Sequence, residues 1–187
     1  ATGDCVTTFE YLPRIAVEFT VRHIPGVSDP LGTPHPAYVL CEVSTARHDP
    51  LLRGLLEDAL GAAMNRGDVL EATLAESNAQ REALWRLRES VPEAQRHEGA
   101  SIKHDVAVPV AALPAFLHKA SAAVAQVAPY ARLVAYGHVG DGNLHFNLSE
   151  PAGGGNRAAF LALQDDLGHA VHACVHEFRG SISAEHG

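Results

Sequence analysis

The run Tyr136-Gly-His-Val-Gly-Asp-Gly-Asn-Leu-His-Phe-Asn147 constrains the fold more than any other part of this 187-residue chain. Asp-Gly between two alternating apolar stretches signals a tight hairpin turn, because such turns need positive φ at their central residues. With Asp141 and Gly142 as a two-residue turn, Gly140 is expected to face Asn143, Val139 to face Leu144, and His138 to face His145. Side chains alternate between the faces of a strand. Leu133, Ala135, Val139, Leu144, Phe146 and Leu148 then share an apolar face, and Tyr136, His138, His145 and Asn147 share the other. Opposed residues have Cβ atoms ~5 Å apart. The hairpin is thus expected to present two facing imidazoles.

Imidazoles at that spacing suit a divalent metal, zinc foremost, at ~2.1 Å from each nitrogen. The solvent face of an amphipathic hairpin would show the same pattern, and on the residues alone both readings stand. Glu185, at the end of an expected last strand 181–184, is a candidate third ligand. Two histidines and a carboxylate form a common catalytic set that leaves positions open for substrate. His186 would point away from Glu185 in an extended segment, so it suits a general base better than a fourth ligand. Glu185 and His186 could equally be exposed residues at a strand end.

The second half of the chain reads as βαββαβ. Strand 102–110 carries Val106, Val108 and Val110 on one face. A helix follows, with Pro114 in its first turn and Leu113, Phe116, Leu117, Ala120, Val124 and Val127 on one stripe. The hairpin strands 133–139 and 143–148 come next, then a helix 157–178 and the strand 181–184. That helix has an apolar stripe of Phe160, Leu163, Leu167, Val171, Cys174 and Phe178, with His169, His172 and His176 turned to solvent. This is the order of a ferredoxin-like unit, an α+β fold with an antiparallel sheet and helices on one face. The first half is expected to extend it by further strand–helix pairs. These are a helix within 7–21, a Pro/Gly-rich loop 24–36, strand 37–43, a helix on Leu51, Leu52, Leu55, Leu56, Ala59 and Ala63 ending near Gly67, strand 69–74 and helix 78–93.

A formal charge of -8 without any Lys/Arg-rich run argues against a nucleic-acid partner, and an anionic ligand would need locally placed cations. Three cysteines (Cys5, Cys41, Cys174) without CxxC spacing read as reduced, mostly buried thiols of a cytoplasmic protein. No signal peptide opens the chain, and no apolar run is expected to reach the ~18 residues of a membrane span. The chain begins without Met and closes on Gly-Ser-Ile-Ser-Ala-Glu-His-Gly, so residues 1–187 are expected to be one domain cut from a longer protein.

Four segments, Trp85-Arg-Leu-Arg-Glu89, Ile102-Lys-His-Asp-Val-Ala-Val-Pro109, Gly137-His-Val-Gly-Asp-Gly-Asn-Leu-His145 and Gly180-Ser-Ile-Ser-Ala-Glu-His-Gly187, carry a family likeness in the family's order. On them the chain resembles the C-terminal domain of FAD-linked oxidases, which include D-lactate dehydrogenases, D-2-hydroxyglutarate dehydrogenase and the glycolate oxidase D subunit. The resemblance implies oxidation of a 2-hydroxy acid to a 2-oxo acid, with hydride passing to FAD. It implies a metal on His138, His145 and Glu185, His186 as base, Arg88 and Lys103 on the substrate carboxylate, and Asn147 helping to fix the substrate. The FAD-binding domain precedes the region covered and a C-terminal segment follows it, so the chain by itself is expected to be inactive. One departure is Pro92, which stands where hydroxyglutarate-type members carry a hydroxyl residue that helps hold substrate. Smaller or more apolar hydroxy acids are therefore open. The electron acceptor is not named by the sequence, and a homodimer is compatible with it.

Two other classes compete. A metal-dependent hydrolase would use the same His/His/Glu set to activate water, with only His186 as base and no role for the Arg88/Lys103 pair. A non-catalytic ferredoxin-like binding module would hold no tight metal. Gly137, Gly140 and Gly142 are no nucleotide fingerprint, because no helix follows the turn.

Overall fold

The computed structural model describes residues 5–46, 49–154 and 156–182. Its first element is not the helix that the apolar density of 7–21 suggests. Val6–Pro13 is strand β1, rich in β-branched and aromatic residues, and helix α1 (Arg14–His23) begins only after Pro13, whose extended backbone caps it. Strand β2 (Ala37–Val43) returns antiparallel to β1. Helix α2 (Leu52–Arg66) ends on left-handed Gly67, as expected, but none of its residues is buried. Segment 69–74 forms no strand. Glu71 instead pins the Pro/Gly-rich loop by accepting from the backbone of Gly32 and from the side chains of Thr33 and His35.

The expected helix 78–93 breaks at Ser90 into α3 (Asn78–Glu89) and α4 (Val91–His97). Pro92 lies in the first turn of α4, where a missing N–H costs nothing. Strand 102–110 is shorter and interrupted, as β3 (Ser101–Ile102) and β4 (Asp105–Ala107), both in one register against a single partner. After helix α5 (Leu113–Val127), strands β5 (Arg132–His138) and β6 (Asn143–Ser149) form the hairpin. The last helix is two pieces, α6 (Arg157–Leu161) and α7 (Gln164–Glu177). Of the expected strand 181–184, Ser181 makes an antiparallel bridge to Ala107, and 183–187 lie outside the described residues.

The strands form one antiparallel sheet in the order β2-β1-β5-β6-β3, with β4 also on β6. Ser181, β4, β6 and β5 reproduce the strand order of a ferredoxin-like unit, and its helices α5 and α7 share one face, as expected. There Phe116 meets Phe146 and Phe178 edge to face, over Leu144, Leu148 and Ala135. The helices of the first half cover the opposite face. Val17, Phe19, Leu87, Val91 and Ala94 close over Val134 and Tyr136.

The three cysteines are free, Cys174 buried and the other two half-buried. One stretch, Val110–Val127, has a mean hydropathy of 1.3 over 18 residues, long and apolar enough to cross a membrane by length and composition. This corrects the expectation that no run reaches that length. In the fold its buried residues, Leu113, Phe116, Ala120 and Val124, form the stripe that packs on the sheet.

At the end of α4, Glu98 ties the second face together. Its carboxylate accepts from Arg22 at 2.6 Å and His23 at 2.7 Å, both on α1, and from Arg132 on β5. Burial opposes its ionisation, but the hydrogen bonds from Arg132, His23 and Arg22 outweigh it and hold the carboxyl down to about 2. Because that value lies below the 4.5 of the free carboxyl, the stabilisation is present above about pH 4.5 and fades as pH falls toward 2. Glu98→Gln is expected to cost about 1–3 kcal/mol at pH 7 in urea unfolding. The gap from the parent chain should narrow when the same measurement is made near pH 3.

Candidate functional site

The hairpin turn is longer than two residues. Tyr136, not His138, lies opposite His145, and residues 139–142 make the turn. The expected pairs Gly140–Asn143, Val139–Leu144 and His138–His145 are therefore corrected by a slip of two residues. The pairing of β5 with β6 ends at Tyr136, and on its other edge β5 pairs with β1, Gly137 with Tyr11 and His138 with Glu10. The Gly140 N–H then donates to the Phe9 carbonyl. Gly137 (φ +145°) and Gly142 (φ +87°) permit the bend, and a Cβ on Gly142 would fall 2.1 Å from the Val108 carbonyl oxygen.

A slip of two leaves every side chain on its own face. His138 and His145 still share one, with ring centroids 6.2 Å apart. Each imidazole faces a carboxylate supplied by its cross-strand neighbour. Glu10, paired with His138, accepts from its Nδ1, and Asp105, paired with His145, accepts from its Nδ1 at 2.5 Å. A carboxylate can only accept, so both Nδ1 atoms carry protons. This carboxylate–histidine arrangement is typical around metals.

Glu10 is fully buried, and its second oxygen accepts from Arg88 Nε at 2.6 Å. The guanidinium lies 5.0 Å from the centroid of the Tyr136 ring, which in turn packs on His145 at 4.9 Å. The Nη groups of Arg88 have no hydrogen-bond partner among the described residues. Burial pushes the Tyr136 phenol up to about 12, so it stays neutral. Asn147 lies two residues beyond His145 on the same strand, buried, with its amide N–H donating to Gln95 Oε1 at 3.1 Å. Its own Oδ1 is buried without a partner among the described residues. Lys103 is exposed in the gap between β3 and β4. With Asp105, His169, His172 and Ile182 it lines a cleft of about 420 Å³ between that edge and α7. His172 does not simply face solvent, since its ring meets buried His104 edge-on at 5.9 Å.

The structure thus brings together His138, His145 and Arg88, with Asn147 farther along β6 and Lys103 at the strand edge. Glu185 and His186 lie outside the described residues, and among the described residues no group of three His, Cys, Asp or Glu side chains could hold a metal ion. Three participants, Glu10, Asp105 and Gln95, were not expected. Asp105 lies within the segment 102–109, one strand repeat from Lys103. Glu10 had a signal of its own, a single acid between Phe9 and Tyr11 in an otherwise uncharged strand.

The whole chain, residues 2–187, matches the family described as FAD linked oxidases, C-terminal domain, and the chain belongs to that family. Among curated relatives, a D-2-hydroxyglutarate dehydrogenase of Xanthomonas citri pv. viticola is 35% identical over 96% of this chain and 37% of its own length. The mitochondrial D-2-hydroxyglutarate dehydrogenase of Danio rerio is 33% identical over 99% of this chain and 33% of its own. That of Arabidopsis thaliana, also mitochondrial, is 30% identical over 99% and 31%. The chain spans about a third of the length of these relatives.

Gly142→Ala is expected to destabilise the chain by about 2 kcal/mol or more, since it combines positive φ with a clash against a backbone carbonyl. Urea unfolding monitored through Trp85 fluorescence measures this. A loss within ~0.5 kcal/mol, the range of an ordinary surface change, would contradict the turn geometry.

Proposed function

We propose that this chain is the substrate-binding part of a FAD-dependent dehydrogenase that oxidises a D-2-hydroxy acid to the 2-oxo acid. Family membership supports the FAD-linked redox class over a hydrolase, and the relatives' names support a 2-hydroxy acid as substrate. One observation carries the assignment of the site. Two imidazoles on one sheet face are each held by a carboxylate at Nδ1, beside an arginine whose Nη edge has no partner among the described residues.

In this reading His138 and His145 hold a divalent metal, zinc foremost, through their Nε2 atoms. Glu185 is the third ligand. The donor set of two imidazoles and a carboxylate fits zinc. Bound there, the metal would supply Lewis-acid polarisation of the substrate oxygens, and FAD would supply the hydride acceptor. The chain's own residues do the rest. Arg88 receives the substrate carboxylate on its Nη edge, with the Tyr136 ring supporting the guanidinium from below. Lys103 adds a point charge at the strand edge. Asn147 offers its buried Oδ1 to a substrate donor, held in that orientation by Gln95. His186 takes the hydroxyl proton, a role commonly worth ~10²–10⁴-fold in rate. Pro92, in the first turn of α4, brings no hydroxyl, which favours a smaller or more apolar acid than hydroxyglutarate.

Equilibrium dialysis against Zn²⁺ tests the ligand set. The parent chain should bind one equivalent, and His138→Ala, His145→Ala and Glu185→Ala should each weaken binding roughly 100-fold or more. Unchanged zinc affinity in His138→Ala would remove it from the set. In the full-length flavoprotein the same substitution should abolish turnover of D-lactate and D-2-hydroxyglutarate alike.

A further inference from the structure

Glu10 is the most completely buried acid among the described residues, and the proposed chemistry leaves it without a task. It lies on β1, far in sequence from the hairpin and from α3, yet its two oxygens reach one group from each. One accepts from His138 Nδ1 and the other from Arg88 Nε. Asp105, the carboxylate behind His145, has no such second partner among the described residues and is a quarter exposed. The two imidazoles therefore differ in their support. One is backed by a separate, partly hydrated acid, the other by an acid shared with the arginine.

We propose that Glu10 is a positioning residue that makes the metal-binding and carboxylate-binding halves of the site a single unit, an inference that rests on the reading of His138 and Arg88 given above. Accepting from Nδ1 fixes the tautomer of His138 with its lone pair on Nε2, the form that can bind a cation. Accepting from Nε of Arg88 sets the guanidinium plane and leaves the opposite edge for an anion. A shift of the arginine is then transmitted through one carboxylate to the imidazole. Asp105 is expected to orient His145 alone.

Measurements on the parent chain and three variants test this. Long-range ¹⁵N–¹H spectra of the metal-free parent should show a proton on Nδ1 of His138. Glu10→Gln, nearly isosteric, should lose that preference and weaken Zn²⁺ binding about 10- to 100-fold, the usual effect of removing such a partner. Arg88→Met, which touches neither imidazole, should also weaken Zn²⁺ binding several-fold. Asp105→Asn should lower Zn²⁺ affinity while leaving the His138 tautomer as it is in the parent. A neutral His138 protonated on Nε2 in the parent would overturn the proposal, even if Glu10→Gln failed to fold. So would zinc affinity unchanged in both Glu10→Gln and Arg88→Met. Absence of Zn²⁺ binding in the parent would instead overturn the metal reading of the preceding section, and the His138 spectrum would still decide the role of Glu10.

Discussion

Two residue pairs hold the molecule to one sheet, Glu10 with His138 and Tyr11 with Gly137. They are the strand pairs that join the β1–β2 ribbon to β5, β6, β3 and β4. This pairing closes a loop of more than a hundred residues, a non-local contact of the kind that forms late and is costly in chain entropy. What offsets the cost lies on both faces. Once β1 is seated, Pro13 turns the chain into α1, and Val17 and Phe19 close over Val134. Glu98 then locks α1, the end of α4 and β5 through one carboxylate.

The same pairing puts a charge where the sheet is dry. A buried Arg88–Glu10 pair has little claim to stabilise the fold, because desolvation of both ions consumes most of their attraction, while loss of either partner costs ~3–5 kcal/mol. Its value is geometric. Around it the face contrasts with the one under α5 and α7, where Phe116, Phe146 and Leu148 belong to a large apolar cluster. Here Glu10, Arg88, Gln95, Asn147 and Ser149 are buried polar groups, largely satisfied by each other. One face supplies cohesion, and the other holds polar groups at fixed angles. His138, with its side chain 40% exposed, marks where this second face opens to solvent.

Elements set by local pattern were legible in the sequence. The α5 stripe, the β5–β6 alternation, the Gly67 cap and the βαββαβ order each follow from spacing within one segment. The failures share a cause. Segment 7–21 carries apolar residues at both strand and helix spacing, and only pairing with β2 and β5 decides that Val6–Pro13 is extended. Leu51, Leu55 and Met64 have helical spacing without a surface to pack on, so α2 forms but buries nothing. In the site, His138, His145 and Arg88 could be nominated from residue type and family likeness. Glu10 could not, because its importance depends on which strand lies beside β5.

The hairpin shows why a wrong register left the two histidines on one face. The two-residue turn expected at Asp141-Gly142 and the longer turn observed differ by two positions, an even number, so His138 and His145 stay off the apolar core in both. A slip of one would have driven one of the two imidazoles to the face under Phe116 and would have been excluded by burial alone. The strong constraint is therefore the face, and the register is free to move by pairs of residues. That freedom is used. In the longer turn His138 lies beyond the last β5–β6 pair, Tyr136 with His145. On the other edge of β5 it pairs with β1, and it is there that His138 meets the carboxylate it shares with Arg88.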